Sequence, residues 1–399
     1  MSKRGPEVSH DGVKSSPAHP ATGRHHSMRG HYRDGVIPQP RCPHCRQFVN
    51  LDALRCPNCA AELGYHLLNR QFYGVRRGQA IIDRQTWYTC SNRDWDCNWM
   101  VWEGAPAGRC FACRLTRRRP DPGDTVALGK LAKTEEAKRR LILQLGDLGL
   151  PIVPWDVHDG GLGFDLLSSL TTGERVIIGH ANGIITLDLA ESLDDHREAL
   201  RVRLGEPYRT MLGHLRHEVG HYYQGVLLTD ERAWTSCREL FGDERASYQD
   251  AIKRHYSRGA PDGWQSSFIS EYATMHPWED FAETFAHYLH ITGTLATAAA
   301  IGIHLDAATN VRDTDVVPLE SYRDEPVQRL LSDWDWMSRA FNRINRAMGF
   351  GDLYPFQLPA PVRTKLEFIH DLVTHAPLTV DEQVARALPD RAGPAHQRG

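Results

Sequence analysis

The sequence predicts an α+β fold in two parts, a cysteine-rich N-terminal zinc-ribbon domain followed by a mostly helical domain with a small antiparallel sheet. Three observations carry this reading. All paired cysteines fall between Cys42 and Cys113, two β-rich runs flank Asn182-Gly183, and nearly everything beyond them has helical period.

At 399 residues the chain is longer than one average domain, which favours two units, one large enough for a substantial core. A formal net charge of −3 excludes whole-surface attraction to nucleic acid or to an anionic membrane, so any such binding must be local. No apolar run approaches the roughly 18 residues that span a bilayer. Residues 1–30 lack the apolar core of a secretory signal, so a cytoplasmic protein with no membrane association is expected. In that reducing compartment the nine cysteines read as metal ligands rather than disulfides, with Cys237 left over as a buried thiol.

Residues 1–37 are rich in Ser, His, Gly, Pro and Arg with few large apolar side chains, too few to offset the entropy of ordering. They read as a disordered tail, and His10, His19, His25, His26 and His31 within it as part of a solvated low-complexity segment. The zinc-ribbon domain is assigned to 38–125, the helical domain to 126–378, and a second disordered tail to 379–399. Arg117 to Asp124, with Pro120, Pro122 and Gly123, reads as a turn-rich connector. From Lys130 to Leu148 the positions Leu131, Ala137, Leu141, Leu145 and Leu148 follow a helical pattern ended by Gly149 and Pro151. Arg175–His180 and Ile184–Leu189 around Asn182-Gly183 predict an antiparallel hairpin. Helical period then covers Pro207 to Leu228, Pro277 to Ile291 and Val327 to Met348.

Cys42-Pro-His-Cys45 and Cys56-Pro-Asn-Cys59 are two CxxC knuckles, and four thiolates so arranged supply a closed tetrahedral zinc site. Cys90, Cys97, Cys110 and Cys113, one wide pair and one CxxC, suggest a second. Which knuckle pairs with which is not deducible from spacing. Glycine often follows the second cysteine of a knuckle to ease the turn, whereas Arg46 and Ala60 stand there. A closed Cys₄ shell has no open position, so this domain reads as structural or partner-binding. Tyr88, Trp95, Trp99, Trp102 and Phe111, followed by Arg114, Arg117, Arg118 and Arg119, could stack on and neutralise single-stranded nucleic acid; small zinc domains also need aromatics for their cores.

His217-Glu218-Val219-Gly220-His221 is an HExxH pattern. On a helix its i, i+4 spacing projects both imidazoles from one face toward a shared metal, with Glu218 beside it as general base. Leu212, Leu215, Val219, Tyr222 and Val226 repeat at helical spacing around it. A catalytic zinc needs a third protein donor and a position left for water. The helix opening at Pro277 offers Glu279, with Asp280 and Glu283 as rivals; Glu279 and Glu283 share a face, so one can ligate while the other supports a ligand. Ile184–Leu189 is the candidate edge strand for pairing with an extended substrate.

This arrangement resembles the gluzincin clan, in which a glutamate on a later helix completes HExxH and a second acidic residue follows four positions on. Tyr272-Ala-Thr-Met-His-Pro-Trp-Glu279-Asp-Phe-Ala-Glu283 resembles the catalytic core of anthrax lethal factor. From about Cys42 to Phe368 the chain is similar to a family of bacterial zinc-binding metallopeptidases with an N-terminal zinc ribbon. The matching blocks include Cys97-Asn-Trp99, Cys110-Phe-Ala-Cys-Arg114, Gly205-Glu-Pro-Tyr-Arg-Thr210, His217–Tyr223, Phe241-Gly-Asp-Glu-Arg245 and His276–His290. The resemblance implies a zincin-like domain with one catalytic zinc on His217, His221 and Glu279 and two structural zincs on the cysteines. It also implies that Tyr272 donates to the oxyanion, with His255, Tyr256 and His276 as other donors in reach, and that Glu283 orients a zinc-bound histidine.

Other side chains have blander readings. His214, one turn before His217, reads as support or surface; His287 and His290 read as structural. Asp188 and the Gly242–Arg245 run support the fold or line the cleft. The expected activity is a zinc-dependent endopeptidase acting on peptide or protein. Two alternatives stay open: a protein that binds nucleic acid or protein through its ribbon on a low-turnover scaffold, and a zinc amidase acting on a non-protein amide.

Overall fold

The computed structural model describes residues 40–172, 176–189, 210–307 and 314–376. The two expected tails, Arg175 at the hairpin start and residues 205–209 of the matching block lie outside the described residues.

In the ribbon each knuckle closes on itself, Arg46 N–H donating to Cys42 O at 3.0 Å and Ala60 N–H to Cys56 O at 2.9 Å. Both residues take the left-handed conformation that glycine would ease, with φ of 65° and 57°. The turn is therefore the usual knuckle turn, held in spite of a Cβ. A hairpin of β1 (Leu63–His66) and β2 (Gln71–Gly74) and a meander of β3 (Gln79–Ile82), β4 (Gln85–Thr89) and β5 (Met100–Trp102) follow, all antiparallel. A one-turn helix, α1 (Phe111–Arg114), starts directly after Cys110. Trp99 and Phe111 face the core, being 2% and 8% exposed.

The stretch expected to be a connector is in part a strand. β6 (Thr116–Arg118) pairs parallel with β7 (Gly163–Leu167), and helix α2 (Thr125–Asp147) crosses between them. Parallel neighbours require such a crossover, and a crossover helix is invisible to turn-residue counting. The helix α2 begins five residues before the periodic pattern because Asp124 caps it, Oδ1 accepting from Ala127 N–H at 2.9 Å. After a short helix α3 (Ser169–Thr172), β8 (Gly179–Ala181) and β9 (Ile184–Asp188) form the expected antiparallel hairpin, with Asn182 and Gly183 at positive φ. The sheet order is β6-β7-β9-β8. The sheet is thus mixed, the antiparallel hairpin extended by parallel pairing of β9 with β7. Ile184–Leu189 is therefore not the edge strand: β9 is paired on both sides, and among the described residues β8 is the edge. The run Gly163–Leu167, buried or nearly so throughout, lacks the alternation that would have announced it.

The remaining described helices are α4 (Met211–Leu227), α5 (Glu231–Phe241), α6 (Tyr248–Arg258), α7 (Pro277–Ala300), α8 (Val327–Ala347) and α9 (Ala360–His375). Thr210, Asp230 and Ser247 cap α4, α5 and α6 through their side chains. The central packing is α4 against α7, and it is close. A Cβ on Gly220 would lie 2.8 Å from Ala282 Cα and 3.0 Å from Ala282 O, so only glycine lets the two backbones approach this far. Among the described residues no helix is long and apolar enough to cross a membrane.

Ribbon and helical domain share one continuous apolar core. Polar contacts reinforce the join along α2: Arg139 Nη2 donates to Asp96 O at 2.9 Å, Arg140 pairs with Asp52 at 2.5 Å and Arg70 with Asp147 at 2.5 Å. Arg117 grips Asp165 through two bonds of 2.9 and 2.6 Å, fixing β6 in the sheet.

Two substitutions test these packing arguments. Gly220→Ala should force α4 and α7 apart and cost about 1–3 kcal/mol in chemical denaturation. Ala60→Gly should instead raise stability by about 0.5–1 kcal/mol, by removing the left-handed penalty at the second knuckle.

Candidate metal centre and active site

Helix α4 carries His217 and His221 one turn apart, and the first turn of α7 brings Glu279 to meet them. His217 Nε2 lies 3.2 Å from His221 Nε2, and Glu279 Oε2 lies 3.0 and 3.4 Å from the two nitrogens. All three residues are nine-tenths or more buried. His217 Nδ1 is 2.6 Å from Glu283 Oε1, whose other oxygen accepts from Ser270 Oγ at 2.7 Å. With Nδ1–H donated to Glu283, Nε2 of His217 presents a lone pair to the centre. Glu279 Oε2 accepts no hydrogen bond and His221 Nδ1 has no hydrogen-bond partner.

Without a proton between them, three electron-pair donors at these distances repel one another, and a cation among them relieves that repulsion. A tetrahedral zinc with ligand bonds of about 2.0–2.1 Å has ligand–ligand edges of about 3.3–3.4 Å, and the observed 3.0, 3.2 and 3.4 Å match that frame. The donor set of two imidazoles and one carboxylate suits zinc and leaves one side open. The residues therefore fit the ion. Burial works against charge on His217, but Glu279 and Glu283 overrule it and hold its basicity well above that of an ordinary imidazole.

Glu218 points beside this centre, 5% exposed, with Oε2 making no hydrogen bond. Burial raises its proton affinity, the neighbouring His217 and His221 oppose that, and Glu279 and Glu283 reinforce it. His214 stands next to Glu218 rather than in the cluster, its Nε2 3.6 Å from Glu218 Oε1. Tyr272 sits beside His217, their ring centroids 5.8 Å apart.

The rival assignments sort themselves by contact. Asp280 is fully buried against Lys365 at 2.6 Å, away from the imidazoles. His276 uses Nδ1 to accept from Trp278 N–H at 3.1 Å, capping α7, while Nε2 meets Ala246 O at 3.1 Å; both ring nitrogens are engaged. His255 packs its ring 6.4 Å from that of Tyr272, whereas Tyr256 is 57% exposed. Sequence reasoning missed two neighbours. Trp278 lies 4.5 Å ring to ring from His221, and Tyr248 Oη donates to Glu279 Oε1 at 2.7 Å. Tyr248 is 31 positions before Glu279 on a different helix, with no motif to mark it.

The cysteines gather as Cys42, Cys45, Cys56 and Cys59 in one group and Cys90, Cys97, Cys110 and Cys113 in the other. Sulfur–sulfur distances of 3.6 Å for Cys42–Cys59, Cys45–Cys56 and Cys97–Cys110 and of 3.7 Å for Cys113–Cys97 are far beyond a disulfide bond. They match the edge of about 3.8 Å expected for four sulfurs at about 2.3 Å from zinc. Both clusters fit zinc.

The remaining candidates are structural in contact. His287 Nδ1 is 2.8 Å from Tyr354 Oη, and His290 stacks on Tyr354 beside Trp334. Asp188 Oδ1 accepts from Ser169 N–H at 3.1 Å. In the Gly242–Arg245 run, Glu244 pairs with Arg238 at 2.8 Å and Asp243 with Arg245 at 2.8 Å. Cys237 is 1% exposed beside Gln224, its thiol pushed up to about 12 by burial.

Comparison with known proteins agrees with this chemistry. A family profile described as "Putative zinc-binding metallo-peptidase" matches residues 127–372, and one described as "zinc-ribbon domain" matches residues 40–124. A protein of Mycobacterium tuberculosis and one of Mycobacterium bovis, each described only as uncharacterized, are 45% identical over 335 residues, 83% of this chain and 94% of theirs. No solved structure matches the chain.

The ligand assignment predicts unequal effects from adjacent acids. Glu279→Ala should remove one zinc per chain by elemental analysis, while Asp280→Asn should leave the metal content unchanged.

Proposed function

The chain belongs to the zinc-binding metallopeptidase family with an N-terminal zinc ribbon, and from that premise we propose that it is a zinc-dependent endopeptidase of gluzincin type. The observation that carries this reading is the unpaired, buried Oε2 of Glu218 beside three converging metal donors.

A zinc ion held by His217, His221 and Glu279 would acidify a water molecule and polarise a substrate carbonyl. Glu218 takes the proton of the attacking water at its carboxylate and passes it to the leaving amine, acting as base and then as acid. Its raised proton affinity suits that exchange. Tyr272, beside His217, donates a hydrogen bond from its hydroxyl to the oxygen on which negative charge develops. Glu283, held by Ser270, fixes the orientation of the His217 ring. The edge strand β8 packs against α4, with His180 6.1 Å ring to ring from Tyr222. Its outer edge can pair with an extended peptide backbone, which favours peptide or protein over a small non-protein amide.

Nucleic-acid binding at the ribbon is less well supported. Arg117 is committed to Asp165, Arg119 lies over Trp95 at 4.3 Å, and Trp99 and Phe111 are core residues. Eight cysteines held as two thiol clusters suit a reducing cytoplasm. Two structural zincs and one catalytic zinc complete the assignment, within a ribbon domain of 38–125 and a catalytic domain of 126–378.

Mass-spectrometric analysis of a diverse peptide mixture tests the reading. Wild type should cleave internal peptide bonds. Glu218→Gln should lose at least about 10³-fold in kcat while keeping its zinc. Cleavage surviving in Glu218→Gln would refute the role of Glu218.

A further inference from the structure

We propose that Tyr248 is a positioning residue of the metal centre: its hydroxyl holds Glu279 Oε1, so that Oε2 alone faces His217 and His221 and Glu279 binds through one oxygen. This rests on the metal-site reading above.

A carboxylate can offer one oxygen or both to a metal. If both bound, the second would occupy the side that water and substrate need. Here the two oxygens have different partners. Oε1 accepts from Tyr248 Oη at 2.7 Å, while Oε2 lies 3.0 and 3.4 Å from the imidazole nitrogens. A phenol carries its proton at neutral pH and a carboxylate oxygen can only accept, so Tyr248 is the donor.

The position of Tyr248 is fixed from several directions. Ser247 caps α6 immediately before it. Its ring packs edge-on to His276 at 5.3 Å and Trp278 at 5.9 Å. His276 in turn ties the start of α7 to Ala246, two residues before Tyr248, so the first turns of α6 and α7 cannot drift apart independently. Tyr248 thereby sets the orientation of the metal carboxylate.

The test uses the full chain with Tyr248→Phe, which keeps the ring and removes only the donor. Zinc affinity at the His217–His221–Glu279 site is measured by competition with a chelator, and coordination is read from the visible absorption of the cobalt-loaded site. The expected result is a loss of about 10- to 100-fold in affinity, with weaker cobalt bands as Glu279 closes onto the metal with both oxygens. Zinc at the two cysteine clusters should be unchanged, which controls for folding. Affinity within twofold of wild type together with an identical cobalt spectrum would overturn the proposal. Wild type that binds this zinc but cleaves no peptide would refute the peptidase reading alone; wild type with no zinc there would refute both.

A different observation carries a second inference, at the ribbon. We infer that Arg119 and Arg139 are the counter-charges of the second cysteine cluster, and that its metal thereby fastens the ribbon to helix α2. Zinc with four thiolates carries a net charge of about −2. All four cysteines of this cluster are buried, whereas Cys45 and Cys59 of the first are partly exposed. A charge so buried needs compensation. Arg139, 1% exposed on α2, donates through Nη2 to Asp96 O at 2.9 Å, beside Cys97, and Arg119 donates through Nη1 to Asn92 Oδ1 at 3.2 Å, two residues after Cys90. Nε and Nη1 of Arg139, and Nε and Nη2 of Arg119, are buried without a hydrogen-bond partner.

Arg139→Met and Arg139→Lys separate charge from packing. Zinc transfer to a chromophoric chelator and limited proteolysis between Arg119 and Thr125 are followed for each. Arg139→Met should release zinc from the second cluster at least about tenfold faster and expose the junction to protease, with Arg139→Lys restoring much of both and the first cluster unaffected. Equal loss in both variants would assign Arg139 to packing and overturn the inference, as would an unchanged release rate in Arg139→Met.

Discussion

The close approach of α4 to α7 is the constraint on which the centre depends. Neither helix alone can hold a catalytic zinc, because two imidazoles on one face supply two donors and a third must come from elsewhere. Gly220 lies inside the HExxH segment, and its missing side chain is what admits Ala282. That contact places Glu279, three residues before Ala282, opposite His217 and His221. The residue between the histidines that has no chemistry of its own thus sets the distance on which the chemistry relies.

The ribbon belongs to the same structure. Its last strand, β6, enters the sheet beside β7, and α2 then packs against both the ribbon and α4. Buried polar groups occupy this junction: Thr116 Oγ1 donates to Glu135 Oε1 at 2.6 Å, and Glu135 pairs with Lys138 at 2.7 Å. Groups of this kind stabilise only when satisfied together, which favours one fixed docking over a sliding one. Arg117 clamps β6 to Asp165, which holds the end of the ribbon in the sheet.

Much of this was legible in the sequence, for identifiable reasons. The helices around His217 and Glu279 announced themselves because one face is apolar and the other carries His217, His221 and Glu279, and the Asn182-Gly183 hairpin because its turn demands positive φ. The cysteine spacing gave two clusters, Cys42 to Cys59 and Cys90 to Cys113, and the way the knuckles fold back settles their pairing. Strands β6 and β7 were hidden, since a parallel pair joined through a helix leaves neither alternation nor turn residues. Tyr248 and Trp278 were hidden for another reason: their roles arise only where α6 and α7 meet, and no local spacing records that meeting.

The central claim is that His217, His221 and Glu279 hold a metal that the cysteine clusters do not account for. Anomalous diffraction at the zinc absorption edge, from crystals of the full chain, tests it most directly. The account predicts a peak about 2.0–2.2 Å from His217 Nε2, His221 Nε2 and a single oxygen of Glu279, in addition to peaks within the two cysteine clusters. Peaks confined to the cysteine clusters, in crystals grown with zinc present, would contradict it.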